Sequence, residues 1–239
     1  MEILVYKTTE ELNHDLADYI VEIAKNAINK NDRFNFVLTG GNSPKILYTL
    51  LATEYKNKID WNKVFFFFGD ERNVPANDEN YNGLMAKKSF FDILQTPENQ
   101  IFYINTTLSP EKAAADYKQR LDKHFDNKKI IFDLILLGMG DDAHTASIFP
   151  NTTLVNNTEA TIASVFVEKL NTDRISFSAP LINNAENIAF LVFGDNKAKA
   201  LQHVIKDDQK DVNNYPSQLI NPVDGKLTWF IDEAAARLL

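Results

Sequence analysis

The stretch Val64-Phe65-Phe66-Phe67-Phe68 runs without a polar residue into Gly69-Asp70-Glu71-Arg72-Asn73-Val74-Pro75. A strand apolar at every position is covered on both faces, the mark of a parallel sheet with helices on each side. The form recurs. Residues 131–137 read as a second continuous apolar strand entering Gly138-Met139-Gly140-Asp141-Asp142-Ala143-His144, and Phe36-Val37-Leu38 enters Thr39-Gly40-Gly41-Asn42-Ser43-Pro44. Further strands are expected over 3–6, 34–38, 161–167, 174–178 and 188–193. Helical spacing predicts helices over 8–29, 44–55, 82–94, 110–125, 195–205 and 232–239. In the first of these, Thr8 and Glu11 are spaced as a capping box, and Leu12, Leu16, Tyr19, Ile20, Ile23 and Ala27 form the apolar stripe. Residues 206–214 are polar and read as an exposed loop. No linker or internal repeat divides the chain. The expected class is therefore α/β: a single Rossmann-like domain over 1–239, with a mainly parallel sheet flanked by helices on both faces and room for a small C-terminal lobe.

The 239 residues are 44% hydrophobic, enough for one sizeable core. A net charge of −8 argues against a nucleic-acid partner, while a few local cations still suffice for a small anion. There is no cysteine, which removes thiolate metal sites and a Cys nucleophile and fits a reducing, cytoplasmic setting. The first residues show no basic segment followed by a long apolar run, so neither a signal peptide nor a membrane partner is expected.

In a parallel sheet the C-terminal strand ends share one edge, and ligands bind in the crevice outside it. The three loops would converge there. Gly40 and Gly41 permit a tight turn with outward amides, and Ser43 offers a hydroxyl that would cap the next helix, a setting that attracts phosphate. Taken alone this is an ordinary strand-to-helix turn. Arg72 suits planar oxyanion recognition, although Asp70, Glu71 and Arg72 would equally form a structural ion cluster. His144 has the side chain whose titration suits proton transfer near neutrality, and Asp142 would fix its tautomer. Arg174 at a strand start and Lys197 in a first helical turn, where a cation is unfavourable for the dipole, would complete an anion cage. His14, His124 and His203 read as structural or exposed. No His pair has metal-ligand spacing, so no metal is expected. No Gly-x-Ser-x-Gly elbow is present.

These residues together resemble the 6-phosphogluconolactonases, within the superfamily that includes glucosamine-6-phosphate isomerases and deaminases. The resemblance rests on Thr39-Gly40-Gly41-Asn42-Ser43-Pro44; on Asp70-Glu71-Arg72-Asn73-Val74-Pro75 with Asn80-Tyr81; and on the segment from Asp141 through His144 to Pro150. Arg174-Ile175-Ser176, Gly194 with Lys197, and Trp229-Phe230-Ile231-Asp232 follow in the same order. It implies cofactor-free hydrolysis of 6-phospho-D-glucono-1,5-lactone in the oxidative pentose phosphate pathway, by a monomer or small homo-oligomer. It also implies roles: His144 as the base, oriented by Asp142, with Gly40, Gly41, Asn42, Ser43, Asp70, Arg72, Arg174 and Lys197 holding substrate. Backbone amides near Gly69 or Gly140 are candidate oxyanion donors.

Two departures stand out. Ala143 replaces the family's usual Gly, so a negative φ or an altered loop is expected there. Glu79 replaces a usual Ser and is expected at the rim. The rivals are a deaminase of amino-sugar phosphates and a non-catalytic sugar-phosphate sensor. The deaminase loop carries Glu where this chain has Phe149, and related sensors carry a DNA-binding module for which this chain has no room.

Overall fold

Neighbouring phenylalanines of the run 64–68 face opposite sides of a sheet, and each side meets a different helical segment. The computed structural model describes all 239 residues, Met1–Leu239. The Phe66 ring lies 5.3 and 5.1 Å from those of Phe90 and Phe91, whereas Phe67 lies 5.2 and 5.1 Å from His124 and Phe132. Burial from both sides is what a strand without polar alternation requires.

The strands are β1 (Glu2–Tyr6), β2 (Phe34–Leu38), β3 (Val64–Phe68), β4 (Asp70–Arg72), β5 (Ile101–Phe102), β6 (Leu134–Leu137), β7 (Ile162–Val167), β8 (Thr172–Phe177), β9 (Asn187–Val192) and β10 (Lys226–Asp232). The helices are α1 (Thr9–Asn31), α2 (Lys45–Ala52), α3 (Asn82–Ala86), α4 (Asp92–Leu94), α5 (Pro110–His124), α6 (Ala179–Ile182), α7 (Ala198–Lys206) and α8 (Glu233–Ala236). Seven strands form one sheet in the order β1-β10-β9-β6-β2-β3-β5, every pairing parallel. The α/β class with helices on both faces is therefore the observed one. No helix is long and apolar enough to cross a membrane.

Local chemistry sets the ends. Thr8 Oγ1 accepts from Glu11 N at 3.1 Å, which starts α1. The expected helix over 82–94 is divided by a π-turn, Lys87–Phe91, between α3 and α4. The strand expected from residue 131 begins only at Leu134, because the buried Asp133 carboxylate turns to accept from Asn35 N and Nδ2, at 2.7 and 3.1 Å.

Two differences concern the architecture. The second sheet, β4-β8-β7, is antiparallel and draws on residues 70–72 and 162–177, so the lobe is not C-terminal. The chain's last strand, β10, which the periodicity reading passed over, lies instead inside the main sheet. One hydrophobic cluster of 68 buried residues runs through both sheets.

Candidate active site

The strand order reverses between β2 and β6: the chain continues from β2 to β3 and β5 on one side, and from β6 to β9 and β10 on the other. Such a switch point opens a crevice at the C-terminal strand ends. The loops after β2, β3, β6 and β9 meet there around a cleft of about 160 Å³, lined among others by Gly40, Gly41, Ser43, Asp70, Arg72, His144 and Lys197. Arg174, the partner of Arg72 across the pairing of β4 with β8, is not on the cleft wall. Asn42 is exposed, and its carbonyl accepts from Lys45 N at 3.3 Å.

His144 is partly exposed to the cleft. Its Nδ1 lies 2.5 Å from Asp142 Oδ1, and Lys169 Nζ donates to Asp142 Oδ2 at 3.0 Å. Burial pushes the Asp142 carboxyl up, but hydrogen bonds and charge from His144 and Lys169 outweigh it and hold the group well below the usual carboxylate range. An ionised Asp142 makes Nδ1 the protonated nitrogen and leaves Nε2 with a lone pair. The ring is seated between two surfaces. Phe149 stacks on it with centroids 3.9 Å apart. A side chain at Gly140 would place its Cβ 2.1 Å from His144 Nδ1, so only glycine admits this packing.

The negative φ expected for Ala143 is not the one observed. Its φ is +60°, in the left-handed region, and it is fully buried. The turn that returns the chain from Gly140 to His144 demands this: Gly140 N donates to His144 O at 2.9 Å and Ala143 N to Gly140 O at 3.1 Å. The Ala143 carbonyl accepts from both Ser217 N, at 3.0 Å, and Ser217 Oγ, at 2.7 Å.

On the anion side, Gly41 turns with φ +86°. Ser43 does not cap α2, whose first residue follows Pro44 with no side-chain cap, so its hydroxyl is left to the cleft. Arg72 and Arg174 are direct partners across the β4–β8 pairing. Neither forms a salt bridge, and the Nε of each makes no hydrogen bond within the chain. Arg72 Nη1 donates to Asn80 O at 2.8 Å. Burial lowers the Arg174 guanidinium and the Lys197 ammonium, with Asp70 pulling the former back up and Asp141 and Asp142 the latter. Cations desolvated without a paired carboxylate favour an anionic ligand.

Asp70 is tied down: its Oδ2 accepts from Ser147 Oγ at 2.6 Å. Glu71 faces away, fully buried, and accepts from the backbone amides of Arg72, Asn82 and Gly83 at 2.8, 2.7 and 2.9 Å. Burial pushes its carboxyl up to about 8 against those three donors. It thereby fixes the start of α3.

Asn82, rather than Asn80, lines the cleft. Asn82 Nδ2 donates to Asp70 O at 3.0 Å, and a Cβ on Gly40 would fall 2.0 Å from Asn82 Oδ1. Asn82, Lys169 and Ser217 escaped the motif reading; only Asn82, two residues past a matched Asn, was within its reach. Among the backbone amides near Gly69 and Gly140, those of the two glycines themselves are engaged elsewhere, Gly69 N with Leu38 O at 3.2 Å and Gly140 N with His144 O at 2.9 Å. Glu79 is exposed.

Comparison with known proteins places these features in context. The family described as glucosamine-6-phosphate isomerases/6-phosphogluconolactonase matches residues 7–229. A probable 6-phosphogluconolactonase 1 of Arabidopsis thaliana is 34% identical over 251 residues, covering 100% of this chain and 93% of that protein. A 6-phosphogluconolactonase of Nostoc sp. is 38% identical over 222 residues, covering 91% and 90%. The solved 6-phosphogluconolactonase of Trypanosoma cruzi superposes with a TM-score of 0.86 at 26% identity, over 100% of this chain and 96% of that one. A monomeric glucosamine-6-phosphate deaminase, at 19% identity and a TM-score of 0.81, shares the fold.

Proposed function

The chain belongs to the family of glucosamine-6-phosphate isomerases and 6-phosphogluconolactonases, and from that premise we propose how its cleft hydrolyses a phosphorylated sugar lactone. The substrate is 6-phospho-D-glucono-1,5-lactone, the product is 6-phosphogluconate, and the reaction is that of the oxidative pentose phosphate pathway. The observation that carries the reading is the Asp142–His144 pair, seated on Phe149 and opening on a cleft lined by Arg72 and Lys197, with Arg174 paired across the strands to Arg72, none of the three salt-bridged to a carboxylate.

The phosphate sits against Gly41, Ser43, Arg72 and Lys197, with Arg174 alongside Arg72. This anchor brings the lactone carbonyl over His144, and positioning of that kind supplies several kcal/mol. Asp142 holds Nδ1–H, so Nε2 takes a proton from water as the water oxygen bonds to C1. The tetrahedral intermediate collapses by breaking the bond from C1 to the ring oxygen. The imidazolium returns its proton to that oxygen, leaving a carboxylic acid that ionises in water. General base catalysis contributes about 10² to 10⁴ in rate.

Phe149 argues against the amino-sugar deaminase, because the position that carries a carboxylate in the deaminase loop here holds an aromatic ring stacked on His144. The proposal extends to one sugar-phosphate domain over 1–239, acting in the cytoplasm as a monomer or small homo-oligomer. Light scattering and cell fractionation test these points. The activity is tested with freshly prepared lactone in an assay coupled to oxidation of 6-phosphogluconate. Turnover above the spontaneous rate is expected, and its absence sinks the assignment.

A further inference from the structure

We infer that Ser217 is a positioning residue for the reaction: by holding the Ala143 carbonyl with two donors, it keeps Ala143 left-handed and so keeps His144 on Asp142 and facing the cleft. The inference rests on His144 being the base.

Ala143 stands in a region of backbone space that an L-residue disfavours, by a population factor on the order of ten. The turn cannot do without it, since the bonds from Gly140 N to His144 O and from Ala143 N to Gly140 O close only around that residue. Something must hold it there. Ser217 N and Ser217 Oγ converge on the Ala143 oxygen from 3.0 and 2.7 Å. That oxygen lies in the same peptide plane as His144 N, which points at Asp142 Oδ1 from 3.3 Å. Rotating the plane would therefore swing the amide of His144, and its ring with it, off the carboxylate.

Ser217 can serve as a clamp because it is itself anchored. It is 1% exposed, in the 3-10 turn Pro216–Leu219. Its neighbour Gln218 donates Nε2 to His203 O at 2.8 Å and accepts from Asp211 N at 2.8 Å, which ties the turn to α7. The Tyr215 ring stacks on His203 with centroids 4.4 Å apart. A second strut reaches the far end of the same loop, where Asn151 N donates to Asn213 O at 3.0 Å. Ser217 is absent from the cleft wall, so its effect passes through Ala143.

The test is a double-mutant cycle of Ser217→Ala and Ala143→Gly. Glycine takes the left-handed conformation without help, so it should make the clamp dispensable. Ser217→Ala is expected to lower kcat roughly tenfold, while KM and the affinity for 6-phosphogluconate stay within about twofold, since the phosphate contacts lie on other loops. With Ala143→Gly present, the same substitution should change kcat less than about twofold. An equal loss in both backgrounds, or none in the native one, overturns the inference. If Ser217→Ala does not fold, the double variant decides: melting and turnover like those of Ala143→Gly alone support the clamp, and failure to fold overturns it. His144→Ala in the same series separates the two levels. Activity retained in His144→Ala removes the base and the clamp together. An inactive His144→Ala beside an unaffected Ser217→Ala removes the clamp alone.

Discussion

The ring of His144 lies flat on that of Phe149, centroids 3.9 Å apart and planes 16° from parallel. The contact fixes the imidazole between an aromatic face and Gly140, and it sets an aromatic quadrupole against the imidazolium formed when His144 takes the proton. An aromatic pair of this kind contributes about 0.5–1.5 kcal/mol. Phe149→Leu should therefore lower kcat by about two- to tenfold, with KM little changed. Phe149→Glu should remain unable to release ammonia from glucosamine 6-phosphate, because one carboxylate does not supply the acid–base set that ring opening needs. Steady-state kinetics and an ammonia assay check both outcomes.

His144→Ala removes the base and leaves the cation cluster intact. A fall in kcat of about 10² to 10⁴ is expected, with binding of 6-phosphogluconate retained in calorimetry. Asp142→Asn should lose most of the same activity, since a neutral amide no longer favours the tautomer that frees Nε2. Chelators should leave wild-type turnover unaltered.

Arg72 and Arg174 face each other across β4 and β8, and each should contribute a charge-assisted contact worth about 1.5–3 kcal/mol. Arg72→Lys and Arg174→Lys are expected to raise KM at least tenfold, since the ammonium cannot reproduce the planar fork. A KM equal to wild type in either variant would take that residue out of phosphate recognition.

His124 predicts a pH effect on stability rather than on rate. Its Nε2 lies 2.7 Å from Asn35 Oδ1, and Phe65 and Phe67 pack around the ring. Burial, then the nearby Arg33, lowers its pKa from 6.5 to about 4. The unfolded chain thus binds the proton first as pH falls. The neutral histidine's contribution is complete above about 6.5 and is lost between there and about 4. His124→Phe should flatten the fall in melting temperature over that window relative to wild type; parallel curves would contradict it.

The parallel sheet and its strand-end loops were legible because continuous apolar runs ending in glycine carry the signal within a few residues. The anion cage was legible only residue by residue. That Arg174 stands opposite Arg72 is a matter of register between strands a hundred residues apart, and no local pattern encodes it. The left-handed turn at Ala143 is hidden for the same reason: the steric rule for a residue with a Cβ holds, but its partner Ser217 is reached only through the fold. Strand β10 carries no period distinct from the motif its residues form, and Asp70–Arg72 looks like a loop because three residues of a strand are too few to show a period.

Strand β1 has a single neighbour, β10. Its partners, from Glu2 against Thr228 to Tyr6 against Asp232, lie almost the whole chain away. During synthesis β1 must wait for β10, while β2, β3, β6 and β9 can already pair around the cleft. Loop closure over such a distance is slow to nucleate. A nascent chain would thus carry most of its catalytic loops before its edge strand has anywhere to go, and β1 and β10 would join the same edge of the sheet, beside β9, together.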